Sequence, residues 1–235
     1  LINKYMVSKK KDQGNQNLEA VESALSRTEL FIEDNSKMVT YIAIGLIVIV
    51  AGFIGVKKLI IAPQEVEARA QMFMAEQYFE KDSFNLALNG DGNYLGFLDI
   101  LDEYKITKSA NLAKYYSGIS YLHLGQFEDA IEYLGKFKSK DKMISPMARG
   151  AMGDAYSELE QDDEAVIHYI KAAQDGKNEF TSPIFFMKAA ATLEKQMHFD
   201  RALKNYQKIK DDYPDSNEAR QIDKYISRVQ KELNK

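Results

Sequence analysis

The longest uninterrupted apolar stretch of the chain is Met38–Val56, which holds nineteen residues without a charge. Lys37 precedes it and Lys57 follows it, and its only hydroxyl groups are those of Thr40 and Tyr41, near one end. At about 1.5 Å of rise per residue, such a helix matches the roughly 30 Å hydrocarbon core of a bilayer. The pattern predicts one transmembrane helix over residues 38–58, with the preceding segment and the following domain on opposite sides of a membrane.

A cleaved signal peptide is the alternative interpretation of this stretch. Signal peptides carry a shorter apolar region, of about 7–15 residues, close to the N-terminus. Here the apolar run begins at residue 38, and no A-x-A cleavage pattern follows it before Pro63. Both features favour a retained anchor.

The segment before the span divides into two parts. Residues 1–17 are polar and aperiodic, which predicts a flexible tail whose natural start is either Leu1 or Met6. Residues 18–37 carry apolar positions at helical spacing, namely Leu18, Val21, Leu25 and Ile32, and predict a juxtamembrane amphipathic helix. This helix either lies on the membrane or extends the span, or it docks a membrane partner. Its acidic polar face argues against binding to anionic lipid.

Small residues occupy one side of the predicted span. Gly45 and Gly52 are seven residues apart, and Ala51 and Gly55 form a small-xxx-small pair. Small residues let helices approach closely in lipid, so this face is a candidate for packing against another membrane helix. The alternative is that these glycines reflect only the general frequency of glycine in membrane helices.

Charges beside the span do not decide its orientation. The positive residues within about twenty positions are Arg27 and Lys37 on one side and Lys57, Lys58 and Arg69 on the other. The more distant run Lys9–Lys11 favours a cytoplasmic N-terminus.

After the span, the apolar pattern is helical and repeats. Small and aromatic positions recur 35 residues apart and then 37 residues apart. The three aligned sets are Gly118, Tyr121, Ala130, Leu134 and Phe137; Gly153, Tyr156, Ala165, Tyr169 and Ala172; and Ala190, Leu193, Ala202, Tyr206 and Ile209. This pattern resembles the tetratricopeptide repeat, with a small residue and an aromatic in helix A, an alanine and an aromatic in helix B, and the closing Pro214.

The resemblance implies an all-α fold in which the transmembrane helix precedes a tetratricopeptide-like α-solenoid. Residues 110–214 form three repeats, and residues 59–109 form a linker helix and a divergent repeat. In that divergent repeat we expect helix B to be displaced by an insertion at Ser83–Asn93. Residues 215–235 form a capping helix, because Ala219, Ile222, Ile226, Val229 and Leu233 share one face.

Composition narrows the function. Residues 59–235 hold 23 basic and 29 acidic residues, which argues against a nucleic-acid surface. The absence of cysteine excludes disulfides, zinc–thiolate sites and thiol catalysis. The three histidines, His123, His168 and His198, are scattered, and no ligand spacing is present. We expect no enzyme activity, no cofactor and no metal.

Repeat solenoids bind partners on the concave surface that the A helices line. The inward positions predicted here from the A helices are Leu112, Tyr115, Ile119, Leu122, His123, Met147, Gly150, Asp154, Ser157, Glu158, Ile184, Met187, Ala191, Glu194 and Lys195. Mixed aromatic, methionine and charged groups suit an extended or helical segment of a protein. The alternative is that neighbouring repeats bury several of them.

The layout of tail, amphipathic segment EAVESALSRTELFIEDN, single span and solenoid of about 175 residues resembles the YfgM-type ancillary subunits of the bacterial Sec translocon. The resemblance implies a single-pass protein of the bacterial inner membrane with a cytoplasmic N-terminus and a periplasmic repeat domain. It also implies two partners, the translocon and a membrane-anchored peptidyl-prolyl isomerase-like chaperone, and a role in handing over translocated polypeptides. The alternatives are an adaptor of another envelope machine (secretion, motility or cell wall) and a receptor facing the cytosol.

Overall fold

A computed structural model describes residues 31–235 of the chain. The predicted tail and residues 18–30 of the predicted amphipathic helix lie outside the described residues. The chain divides into two compact units, with the boundary between Ile60 and Ile61.

The first unit contains the helix α1, Ser36–Val56, followed by a π-helical turn at Lys57–Ile61. None of the α1 residues is buried against protein. Among residues 31–235, one helix is long and apolar enough to cross a membrane, and it includes this segment. A helix of this kind in a soluble core would be mostly buried, so the lack of any buried residue in α1 fits the predicted membrane anchor.

The second unit is built from ten α-helices and a short 3₁₀ turn, and all the regular structure among residues 61–235 is helical. The helices are α2 Ala62–Glu80, α3 Phe84–Asn89, α4 Phe97–Glu103, α5 Lys108–His123, α6 Phe127–Lys136, α7 Ile144–Glu158, α8 Asp162–Gly176, α9 Thr181–Lys195, α10 Phe199–Asp212 and α11 Ile222–Leu233, with the 3₁₀ turn at Glu218–Gln221. The predicted all-α repeat architecture is confirmed.

Each A helix ends in the same turn. Asp82, Gly125, Glu160 and Met197 have positive φ angles of 56°, 74°, 60° and 59°. The amide that follows each of them donates to a carbonyl five residues back, at 2.8–2.9 Å, as from His198 to Leu193. This is the Schellman arrangement, which satisfies the last helical carbonyls and reverses the chain. Because the turn occurs four times, the unit contains four helix pairs, the first of which is the predicted divergent repeat.

Small residues set the spacing within each pair. A Cβ added at Gly153 would lie 2.6 Å from ring atoms of Tyr169, and one at Gly118 would overlap the side chain of Leu134. The helix-B alanines Ala130 and Ala165 are fully buried. Close approach of the two helices therefore requires the small residues on which the predicted repeat is based.

The divergent repeat departs from the prediction. We expected the insertion at Ser83–Asn93 to displace helix B, but helix B begins at Phe84, and Ala87 is fully buried. The interruption instead follows Asn89 and splits helix B into α3 and α4. Asp91 stabilises the loop by accepting hydrogen bonds from the backbone of Tyr94 at 2.8 Å and from the Tyr78 hydroxyl at 2.8 Å.

Long-range contacts join the ends of the unit to their neighbours. Glu65 of α2 accepts hydrogen bonds from the Lys108 and Ser109 amides at 2.6 and 3.3 Å, which places a carboxylate at the N-terminus of α5. At the other end, α11 buries Ile222 and Val229 against the last pair as predicted for a cap. The capping helix begins at residue 222, later than the predicted 215, because the 3₁₀ turn precedes it.

Candidate functional site: a cavity along the A helices

A cavity of about 580 Å³ opens where three successive A helices meet. The end of α5 contributes Leu122 and His123, α7 contributes Asp154 and Glu158, and α9 contributes Lys188. The walls are completed by Ser157, the turn residue Gly125, Phe127 and Tyr169. We call this set the groove cavity. Five of the predicted inward residues therefore share one site, namely Leu122, His123, Asp154, Ser157 and Glu158.

Asp154 is the best-connected group of the groove cavity. Its Oδ1 accepts a hydrogen bond from the Tyr169 hydroxyl at 2.7 Å, and its two oxygens contact the Lys188 ammonium at 2.6 and 2.8 Å. The Lys188 nitrogen also lies 5.7 Å from the centre of the Tyr169 ring. Burial, followed by the negative charge of Asp154, raises the pKa of Tyr169. Asp154 thus joins its own helix B to the next helix A.

The same arrangement occurs one repeat later. Glu194 accepts a hydrogen bond from the Tyr206 hydroxyl at 2.7 Å and binds Arg228 of the capping helix through Nε at 3.0 Å and Nη2 at 2.5 Å. Burial and the bond to Glu194 raise the pKa of Tyr206. In both places a carboxylate on helix A binds the tyrosine of its helix B and a cation 34 residues onward. Glu194, predicted as a groove residue, is therefore engaged between helices.

The remaining predicted groove positions differ in their exposure. Tyr115, Ile119 and Leu122 pack partly buried against the core cluster around Leu134. Two other positions, Leu112 and Met187, pack partly buried against core clusters. Four are exposed, namely Met147 at 43%, Ile184 at 37%, Ala191 and Lys195. The exposed residues are available to a partner, whereas the partly buried residues chiefly stabilise the fold.

Gly150, also expected to face inward, is a packing position. It is buried, and a Cβ there would overlap the ring of Phe185. His123 is exposed and stacks on Phe84 at 4.4 Å between ring centres, with planes 4° apart. This contact holds the imidazole at the mouth of the groove cavity.

Sequence reasoning missed Lys188 and Arg228, and it assigned Tyr169 and Tyr206 only to packing. The separation that each ion pair spans, 34 residues, is close to the repeat length. A search for opposite charges one repeat apart would have found both pairs. The acidic first turn of α8 complements the helix dipole, and Asp162 in addition contacts Lys195 at 2.8 Å.

The predicted packing face of the apolar helix α1 lies in the other unit. Cβ atoms added at Gly45, Gly52 or Gly55 would meet nothing within 4 Å, and Ala51 is also exposed. This face is open to another helix and stays a prediction.

The described residues offer little chemistry. Within residues 31–235, no group of three or more His, Asp or Glu side chains is placed to hold a metal ion. Of the two carboxylates in the groove cavity, Asp154 is bound to the Lys188 ammonium and the Tyr169 hydroxyl, whereas Glu158 is exposed.

Comparison with known proteins agrees with the fold. The tetratricopeptide repeat family model matches residues 112–141 and 186–216. A solved structure named as a kinesin light chain with nearly identical TPR-like repeats, from Podosopora anserina, is similar with a TM-score of 0.53 and 12% identity over 72% of this chain and 87% of that chain. No curated protein sequence matches significantly. The chain therefore carries tetratricopeptide repeats on an all-helical solenoid, a fold that generally serves as a non-enzymatic scaffold for binding proteins.

Proposed function

We propose that this protein is a membrane-anchored scaffold of the bacterial envelope that holds protein partners through the groove cavity. The observation that carries the proposal is the cavity itself, which three consecutive A helices line with both polar and apolar groups. Its volume of about 580 Å³ accommodates a few side chains of a partner segment.

The charges of the groove cavity indicate how a partner segment binds. Asp154 is already paired with Lys188, whereas Glu158 is exposed and, within the described part of the chain, has no ion pair. A basic or hydrogen-bond-donating group of the partner binds Glu158, while its apolar side chains contact Leu122 and Phe127. His123, which stacks on Phe84, also lines this cavity.

Within this class we propose the Sec translocon and a membrane-anchored peptidyl-prolyl isomerase-like chaperone as the partners, with a cytoplasmic N-terminus, a periplasmic repeat unit and a role in handing over translocated polypeptides. The support is the resemblance in layout, together with the apolar helix Ser36–Val56 and the repeat unit that follows it. The competing proposal is an adaptor of another envelope complex for secretion, motility or cell-wall assembly, which the same cavity would serve.

Purification of the full chain from membranes in mild detergent tests the proposed partners. We expect translocon subunits and the chaperone to co-purify, and Glu158→Lys to reduce their recovery. Glu179→Lys is the matched control, because Glu179 is exposed and does not line the groove cavity. If other envelope components co-purify in a Glu158-dependent way and translocon subunits do not, the competing proposal is correct.

A reporter fused after Lys235 tests the orientation. Activity of a reporter that functions only in the periplasm would support the proposal. Activity of a reporter that functions only in the cytoplasm would refute the translocon proposal and favour a cytosol-facing receptor.

A further inference from the structure

A second cavity, of about 390 Å³, lies between α4, α5 and α6. Its apolar wall consists of Leu98 and Leu101 from α4 and Ala110 from α5. It shares no lining residue with the groove cavity. It exists because helix B of the first pair is split, so that the short helix α4 lies beside α5 and leaves an opening next to α6.

Three lysines border this second cavity. Lys105 belongs to the turn after α4, Lys114 to α5 and Lys136 to the end of α6. They are brought together from positions up to 31 residues apart in sequence. Three ammonium groups around one opening repel each other unless an anion lies between them.

The acidic neighbours of these lysines hold them weakly. Lys105 pairs at 2.9 Å with Asp102, the one acidic residue that also lines the cavity, and Lys136 pairs with Glu132, in contacts three and four residues apart along the chain. All four side chains are more than half exposed, and such pairs contribute little to stability. Lys114 is half-buried, and in the described part of the chain it forms no ion pair. An incoming carboxylate therefore displaces little.

Tyr133 gives the second cavity a rigid aromatic side. Its ring packs against Tyr121 with centres 5.2 Å apart, and the Lys136 nitrogen lies 5.4 Å from its centre. Together with Leu98 and Leu101, this ring forms a surface suited to an apolar side chain. An inorganic anion would not contact this apolar surface. An acidic peptide with a leucine or an aromatic residue would contact both the apolar surface and the lysines.

The local charge stands out against the rest of the repeat unit. Residues 61–235 hold 23 basic and 29 acidic residues, but the segment 105–142 holds seven lysines and four acidic residues. The lysine-containing loop after α6 is held beside α5, because Asn111 binds the Lys138 backbone through its amide, at 2.8 Å to the carbonyl and 3.2 Å from the N–H. Positive potential on an otherwise acidic unit attracts acidic partners selectively.

We propose that this second cavity binds an acidic segment of a protein partner, which places one apolar side chain between Leu98, Leu101 and Tyr133 and its carboxylates on Lys105, Lys114 and Lys136. The scaffold then has two separate protein-binding sites, one acidic at Glu158 and one basic here. Two such sites on one rigid repeat unit allow two different partners to be held at once.

Fluorescence anisotropy with the full chain in non-ionic micelles tests this proposal. The probe is a labelled Glu-Asp-Leu-Asp-Glu peptide, compared with its amide twin Gln-Asn-Leu-Asn-Gln and with Glu-Asp-Gly-Asp-Glu. We expect saturable binding of the first peptide, at least tenfold weaker binding of the amide twin, and weaker binding of the glycine peptide. Raising the salt from about 50 to about 300 mM should weaken the binding.

Variants identify the site. Lys114→Gln should raise the dissociation constant of the acidic peptide about tenfold, since it removes one charged hydrogen bond. Lys204→Gln is the control, because Lys204 is an exposed lysine of α10 outside both cavities. If Lys114→Gln fails to fold, as judged by circular dichroism, the exposed double variant Lys105→Gln/Lys136→Gln carries the test.

Equal binding by the wild type and the lysine variants overturns the proposal, as does equal binding of the acidic and amide peptides. Complete displacement of the peptide by about 10 mM inorganic phosphate overturns it as well, because the cavity would then take a simple anion. None of these outcomes affects the groove cavity, whose test depends on Glu158.

Discussion

The substitution Gly153→Ala tests the close approach of helices α7 and α8. An added Cβ would lie 2.6 Å from Tyr169 Cδ1 and Cε1. The Tyr169 ring is 4% exposed and its hydroxyl is bound to Asp154, so it cannot rotate away without breaking that contact. Overpacking of this kind costs about 1–3 kcal/mol, and alanine recovers up to about 1 kcal/mol of helix propensity. We expect a net loss of about 1–2 kcal/mol in the free energy of unfolding.

Gly135→Ala is the matched control, because it also lies within a helix and its added Cβ would meet only the methyl of Met152, at an ordinary 3.7 Å. Here the propensity gain is unopposed, and we expect equal or slightly higher stability. The assay is urea unfolding of the full chain in non-ionic micelles, followed by far-ultraviolet circular dichroism. If Gly153→Ala is as stable as Gly135→Ala, the helices do not approach as described and the packing argument is wrong.

Three further predictions follow from the turns, the tyrosines and the apolar helix. Met197→Gly should stabilise the chain by about 0.5–1 kcal/mol in urea unfolding, because glycine tolerates the φ of 59° at this position. Gly125→Ala should destabilise the chain by about 1 kcal/mol for the opposite reason. Unchanged free energies of unfolding in both variants would refute the left-handed turn. Burial, and then the charge of Tyr133, raises the pKa of Tyr121 from 10.0 to about 12. Because the unfolded chain loses this proton at lower pH than the folded chain, stability should fall between about pH 10 and pH 12. The fall should be less steep in Tyr121→Phe. The chain should remain with membranes in alkaline carbonate and be released when residues 38–56 are deleted, whereas extraction of the intact chain would contradict the anchor.

The repeat architecture could be predicted from the sequence because its packing residues have few substitutes. A position such as Gly153 tolerates no side chain, and Ala165 little more, so the 35-residue spacing survives as a readable pattern. The capping role of α11 could be predicted in the same way, because the apolar face of this helix must be buried against the last helix pair. The long apolar run was equally readable, because a bilayer requires a definite length.

Turn conformation was harder to predict. Only one of the four A-helix turns has glycine at the position with positive φ. Glu160 and Met197 occupy two of the others, and such residues rarely adopt the left-handed conformation. The segment Ser83–Asn93 was predicted to be an insertion that displaces helix B, yet Phe84 begins a helix because the Schellman turn before it reverses the chain.

The candidate site could be predicted only in part. Helical spacing identifies the inward face of each A helix, but it does not show which residues on that face are covered by the neighbouring helix. Helical spacing alone does not separate Met147, which is exposed, from Gly150 one turn later, which lies against Phe185. The pairing of Asp154 with Lys188 depends on the angle between repeats, which the spacing of apolar residues does not encode. The lysine-lined second cavity likewise depends on the position at which helix B is split.

Site-specific photocrosslinking in intact membranes tests the central claim, that the groove cavity holds a protein partner. A photoreactive residue at His123 lies at the mouth of that cavity, and one at Gln174 lies on an exposed part of α8 outside it. We predict adducts between position 123 and a translocon or chaperone subunit that are absent from position 174 and are lost with Glu158→Lys. Adducts of equal yield from both positions, or none from position 123, would contradict the proposal.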